Sequence, residues 1–422
     1  MLCIILQVVS AADQKFLTEG IIKFFEYGPY LSLSHNESDT TAHQLHRSFI
    51  LTLSRRSLFK RAASIGSLSL APLLYLQKSQ PAYAAMPDRV FNPQPNQWRT
   101  FEITTRVDIL NVDGNTRIWL PVPSINSHWQ KSEGNSFSSN GNTKLLTDKL
   151  QNVQMLFAEF DANIEKPYVE ISSRVQTQNR SSLQAAVSVK EDAATLQFFT
   201  RSTELLPTDG IVKETATKAI TGAKTDLEKV RAIYDWIVTN AWREPKVRGC
   251  GEGDIKTMLE TGNLGGKCAD INALFVGLCR SVGIPARDVY GLRLAPSAFQ
   301  YKELSGNPVN LKGSQHCRSE VYIKGQGWLA MDPADVAKVM RQETSEWIKT
   351  PEHPVVQPVY QGLFGGWEGN WVGWNMAHDL TLPKAKGNRL GFFMYPIGEN
   401  AEGRMDSYAP DDFKYQITAR EI

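Results

Sequence analysis

An α+β fold is predicted, with a β-rich part ahead of a helical core that ends in a hairpin. Three observations predict it. Residues 101–109 and 413–420 alternate apolar and polar side chains with period two, as half-buried strands do. Residues 225–237 and 268–282 instead repeat apolar side chains every three to four positions, the pattern of one helical face. Finally, Gln315–Ile323 and Trp328–Pro333 read as two strands flanking the turn residues Lys324-Gly325-Gln326-Gly327.

The elements follow in order. Residues 85–205 form a β-rich domain: Phe101–Ile109, Thr116–Pro123, Tyr168–Ser173 and Leu196–Phe199 read as strands, and Ser132–Asn142, rich in Ser, Gly and Asn, as a loop. A sandwich or half-barrel is expected, for substrate docking or simple support. Residues 206–340 form the core. Thr225-Asp226-Leu227-Glu228 is a capping box that opens a helix through Val230, Ile233, Tyr234 and Ile237. Arg248–Asp254 is glycine-rich but lacks the Gly-Lys-Ser/Thr ending and the preceding strand of a phosphate-binding loop, so it is expected to shape a cleft lip. A second helix starts at Cys268, buries Ile271, Leu274, Phe275, Leu278, Cys279 and Val282 as one stripe, and stops at Gly283 before Pro285. Residues 341–422 are a Trp/Gly-rich segment packing on the core. There Trp367, Trp371 and Trp374 have helical spacing and suit either a face on the core or the aromatic wall of a groove. The last strand is expected to extend an existing sheet, and no internal repeat is found.

The chemistry concentrates at Cys268. At a helix start, orphan N–H groups and the macrodipole favour negative charge, which can turn a thiol of pKa about 8.5 into a thiolate near neutral pH. A nucleophile needs a base. Of His128, His316, His353 and His378, His316 stands out because it opens a strand whose partner ends in Asp332. A symmetric three-residue loop at Gly325–Gly327 would put His316 and Asp332 on one face. It would also set Asp332 opposite Glu320, so a bulge or strong twist would be needed to join the two. His378-Asp379 has no partner motif, and Cys279 lies on the buried stripe. No Cys-x-x-Cys, His-x-x-x-His or EF-hand pattern occurs, and adjacent His316 and Cys317 point to opposite strand faces. Neither a metal nor a cofactor is expected.

These residues carry a resemblance. Gly265–Leu294, His316-Cys317-Arg318-Ser319-Glu320-Val321-Tyr322 and Trp328–Pro333 together resemble the core of the transglutaminase-like superfamily, as does the link Gly283-Ile284-Pro285-Ala286-Arg287. The resemblance spans residues 225 to 340 and implies a papain-like core with a Cys268-His316-Asp332 triad. Cys268 would attack an amide carbonyl, His316 would carry the proton to the leaving amine, and Asp332 would hold the imidazole. The N–H of Cys268 would be one oxyanion donor, and the Trp242 indole is the candidate for the second by likeness to an upstream donor in related enzymes. Trp242 also suits a core or cleft-wall aromatic. A protein or peptide substrate is implied, with hydrolysis favoured over cross-linking to a lysine amine. A non-catalytic peptide or cell-wall binding module is the alternative.

The N-terminal end suggests export. Ser54-Arg55-Arg56-Ser57-Leu58-Phe59-Lys60 resembles a twin-arginine motif, followed by an apolar stretch from Ala62 to Leu76 and a small-residue cleavage site at Ala82-Tyr83-Ala84. Residues 1–84 are thus expected to be leader and signal, the first fifty an over-extended start. The mature chain is expected in the periplasm or beyond, with no stable membrane span. With 46 basic and 44 acidic residues the net charge is +2, which gives no footing for a nucleic-acid partner. Four cysteines remain after residue 84. If Cys268 is catalytic and Cys279 buried, a Cys250–Cys317 disulfide is conceivable in an oxidising compartment.

Overall fold

The computed structural model describes residues 89–110, 114–181, 190–409 and 413–422. The leader and its twin-arginine segment lie outside these residues. Seven strands come first: β1 (Trp98–Asp108), β2 (Thr116–Pro121), β3 (Gln130–Ser139), β4 (Asn142–Asp148), β5 (Val153–Phe160), β6 (Tyr168–Gln178) and β7 (Arg180–Ser181). Next come α1 (Ala193–Phe198), α2 (Gly210–Ala219), α3 (Asp226–Asn240), β8 (Trp242–Arg243), α4 (Ile255–Thr261), β9 (Gly265–Gly266) and α5 (Cys268–Ser281). The chain continues through β10 (Ala286–Arg293), β11 (Gln315–Ile323), β12 (Gly327–Met331), α6 (Pro333–Gln342), α7 (Gln357–Gly362), β13 (Gly366–Trp367), β14 (Trp371–Asn375), β15 (Ile397–Glu399) and β16 (Lys414–Glu421).

The fold is α+β, with a helical core behind β-rich N-terminal residues. Two antiparallel sheets, ordered β16-β1-β6-β3 and β15-β2-β5-β4, are built mainly from those residues, and each takes an edge strand from the far end of the chain. The alternation seen at 101–109 and 413–420 is explained by direct pairing, Phe101 with Glu421 through Asp108 with Lys414. A third sheet, β12-β11-β10-β14, backs α5, whose other side meets α2 and α3. Enclosed this way, α5 is buried at every residue rather than along one stripe. Full burial of side chains such as Leu274 and Phe275 stabilises by about 1.5–3 kcal/mol each.

Three local expectations are corrected. Residues 132–142 are not a loop: β3 pairs with β6, and β4 with β5, across the turn between them. Both are edge strands with largely exposed side chains, so they carry Ser and Asn where a buried strand would carry Val or Ile. Leu196–Phe199 is not a strand, because the Asp192 carboxylate accepts from the Thr195 N–H at 2.8 Å and starts α1. Four residues, three of them apolar, are too few to separate the two periods. Nor do Trp367, Trp371 and Trp374 share a helix. They lie on or within β13 and β14 among glycines that disfavour helix, and all three are buried.

Candidate active site

The nucleophile's position is set by the loops ahead of α5. Asp270, in the first turn, accepts hydrogen bonds from the N–H groups of Glu252 (2.8 Å), Gly253 (2.9 Å) and Lys267 (2.8 Å). One buried carboxylate therefore folds both the 248–254 loop and the β9 turn around Cys268. Gly251, at φ 91°, has to be glycine, since a Cβ there would overlap the Asp270 carboxylate. The Cys250 carbonyl accepts from the Ala269 N–H at 3.0 Å, which docks that loop on the helix start. β8 and β9 run parallel with Trp242 opposite Gly265, so the Trp242 indole lies beside the segment leading into Cys268.

His316 and Asp332, the candidate base and its carboxylate, meet without a bulge. The hairpin turn closes one residue earlier than the sequence suggested: Ile323 pairs with Gly327, and Ser319 with Met331. This register carries Asp332 to the level of Arg318, diagonal to His316 and on its face, within side-chain reach. His316 Nε2 lies 2.7 Å from Asp332 Oδ2. Asp332 is also the N-cap of α6, its Oδ1 accepting from the Asp335 N–H at 3.0 Å, with Pro333 at the first helical position. The same Oδ1 accepts from Asn272 Nδ2 at 3.3 Å, and Asn272 Nδ2 also lies 2.9 Å from the Cys317 carbonyl. Asn272, one turn beyond Cys268, thereby ties the nucleophile's helix to the strand of His316 and to Asp332. Behind His316, Trp371 Nε1 donates to its carbonyl at 2.9 Å across Gly291, where a side chain would collide with the indole.

The electrostatics divide the charges between sulfur and imidazole. Hydrogen bonds from the Cys250 and Cys317 thiols, then burial against them, then the bond to His316, set the Cys268 thiol, and the sum lies well below its ordinary value. Burial and the Arg293 guanidinium push the His316 imidazole down, but Asp335 and Asp332 outweigh them and raise it to about 9. Asp335 Oδ2 is 3.3 Å from His316 Nε2. Burial disfavours the ionised form of Asp335, yet Arg293 at 2.5 Å and His316 hold its carboxyl well below the usual range. Burial and the like charge of Asp335 raise Asp332 instead. The two shifts run in opposite directions, the thiol down and the imidazole up. Cys268 itself is only 4% exposed.

Cys268, His316 and Asp332, expected from the sequence, are thus brought together. His378 is not part of the cluster: it bonds Asp288 at 2.9 Å and Tyr290, not Asp379. Cys250 and Cys317 are free thiols, each hydrogen-bonded to Cys268. Asp270, Asn272, Asp335 and Cys250 were not picked out as site residues by sequence. Two polar residues inside an apolar helix, and a second aspartate three positions after Asp332-Pro333, were the available signals. His316, Asp332 and Asp335 also have metal-ligand proximity, but Arg293 and Arg318, the latter 3.7 Å from Asp332, already balance the carboxylates. A cavity of about 790 Å³ lies away from this cluster, against Trp129, Arg180, Arg287, Glu320 and Trp328.

A buried Cys-His-Asp cluster, with sulfur at a helix start and imidazole on the adjoining strand, defines a papain-like thiol fold. The model of the transglutaminase-like superfamily matches residues 213–333. An uncharacterized protein of Haemophilus influenzae is 33% identical over 342 residues, covering 76% of this chain and 91% of that one. The chain belongs to the transglutaminase-like superfamily. Among solved structures, a candidate cysteine protease of Cytophaga hutchinsonii matches at 15% identity over 78% of this chain and 92% of its own, with a TM-score of 0.46. The periplasmic domain of TgpA from Pseudomonas aeruginosa matches at 16% identity over 62% and 92%, with a TM-score of 0.32.

Proposed function

We propose that the protein is an exported cysteine enzyme that cleaves amide bonds of proteins or peptides through a thioester. The observation that carries this reading is the buried cluster of Cys268, His316 and Asp332, with His316 Nε2 2.7 Å from Asp332 Oδ2 and the thiol and imidazole shifted in opposite directions. With Nε2 committed to Asp332, Nδ1 is the nitrogen left for the sulfur. The Cys268 thiolate adds to the carbonyl carbon, and the oxyanion takes the orphan N–H of Cys268 and the Trp242 indole as donors. The imidazolium then gives its proton to the departing amine, leaving a thioester and neutral His316. Water, deprotonated by His316, releases the acid and restores the thiolate. In this scheme residues 85–205 and 341–422 support the 206–340 core.

Hydrolysis is the reading that the resemblance favours, and cross-linking to a lysine amine is its alternative. Export rests on the Ser54–Lys60 and Ala82–Ala84 motifs; no helix among the described residues is long and apolar enough to cross a membrane. The test is incubation of the purified chain with a peptide library and a fluorescent primary amine, read by mass spectrometry and gel fluorescence. Cleaved peptides that vanish with Cys268→Ala support the hydrolytic reading. Amine-tagged protein without cleavage would replace it with cross-linking, and neither signal would leave the binding module.

A further inference from the structure

Three thiols meet at one point. Cys250 and Cys317 are each hydrogen-bonded to Cys268 through their side chains, although they come from a loop and a strand far apart in sequence. The two neighbours differ in what holds them. Cys317 sits within β11, fully buried between paired strands. Cys250 sits in the 248–254 loop between Gly249 and Gly251, both at positive φ. Its carbonyl accepts from the Ala269 N–H at 3.0 Å, which holds the loop that carries Cys250 against the residue next to Cys268. Tyr395 donates its hydroxyl to Cys250 Sγ at 3.0 Å, which opposes but does not outweigh the Cys268 contact and the burial that hold the Cys250 thiol well above its ordinary value, so Cys250 is the protonated partner of the two.

We propose that Cys250 is the resolving thiol of a redox-modification site whose oxidisable member is Cys268, and that hydroperoxides are the oxidant. The inference rests on the reading of Cys268 as a thiolate. The Cys268 sulfur attacks the terminal oxygen of the hydroperoxide; the O–O bond breaks, an S–O bond forms, and the alkoxide takes up a proton and leaves as alcohol or water. Cys250 Sγ then attacks the sulfenic sulfur, the S–O bond breaks, and hydroxide leaves as water with the Cys250 proton. Two thiols are oxidised by two electrons and one hydroperoxide is reduced. The product blocks the nucleophile reversibly, where a lone sulfenic acid would proceed to irreversible sulfinic acid.

The experiment titrates the full chain with hydrogen peroxide up to one equivalent, followed by non-reducing peptide mapping and iodoacetamide labelling of Cys268 before and after dithiothreitol. Loss of two thiols, a Cys250–Cys268 linked peptide and full return of labelling after reduction are expected. In Cys250→Ser the labelling lost to excess peroxide should not return. A Cys268–Cys317 link, or sulfinic acid on Cys268 in the native chain with no linked peptide, would overturn the assignment. Labelling of the untreated chain separates the premises: if Cys268 reacts no faster than Cys279 before peroxide, the thiolate reading itself has failed. The wild-type map stands even if the serine variant does not fold.

Discussion

Strand β11 carries two buried ionic clusters four residues apart, and in the proposed mechanism only one of them does chemistry. At Glu320 the carboxylate is shared by Arg180 and by Arg287, the latter at 2.6 Å. Burial opposes the Glu320 charge, but the two guanidiniums keep its carboxyl below the ordinary value. At His316, two carboxylates hold an imidazole whose proton is exchangeable near pH 9, and a thiol of opposite tendency touches the ring. The cavity belongs to the first cluster and the nucleophile to the second. Buried charge and open volume therefore do not mark the reactive centre; a pair of titratable groups pushed apart in pKa does.

Mutations can break or sharpen that contrast. The largest effect is expected from Cys268→Ser, which should lower turnover by at least about 10⁴-fold while leaving the denaturation midpoint near that of the parent. Equal loss of folding and activity would return Cys268 to the core. Glu320→Gln should do the reverse. It strands the buried Arg180 guanidinium and the part-buried one of Arg287 and should cost about 3–5 kcal/mol in urea unfolding, with the Cys268 alkylation rate of the folded protein unchanged. A slowed alkylation rate would show that the two clusters are one.

Asp335→Asn should lower the alkaline limit of His316 by roughly one pH unit, read from the pH dependence of Cys268 alkylation. Stability is linked in the same direction. The folded value of about 9 lies above the ordinary 6.5, so the contribution of protonated His316 is complete below about 6.5 and is lost as pH rises through about 9. In Asp335→Asn that loss should begin at lower pH; an unaltered profile would make Asp332 the sole partner. The smallest effect belongs to Thr225→Ala, which removes the capping box of α3 for about 1 kcal/mol and leaves the thiol unaltered.

How much was legible follows from the range of each interaction. Capping at Thr225, the start of α5 and the alternation of β1 and β16 depend on neighbours within one turn or on a single period, and the sequence displays them. Cys268, His316 and Asp332 could be read because their residue types and order narrow the chemistry. Their register could not: whether Gly325 or Gly327 closes the hairpin depends on pairing energies along the whole strand, and one position moved Asp332 from Glu320 to Arg318. The polar edge strands β3 and β4 were hidden because exposed strands need no hydrophobic signature. Asp335 was hidden for a further reason. As an N3 residue it is ordinary helix chemistry, and only the fold brings Arg293 and His316 to it.

The central claim is the buried ion pair, and the most direct measurement is the iodoacetamide rate at Cys268 across pH 4 to 10, followed residue by residue in the parent and in His316→Ala. The account predicts that Cys268 outpaces Cys250, Cys279 and Cys317 by about 10-fold or more at pH 6–7, and that the advantage disappears in the variant. Equal rates at all four cysteines, or a Cys268 profile that rises only near an ordinary thiol pKa, would contradict it.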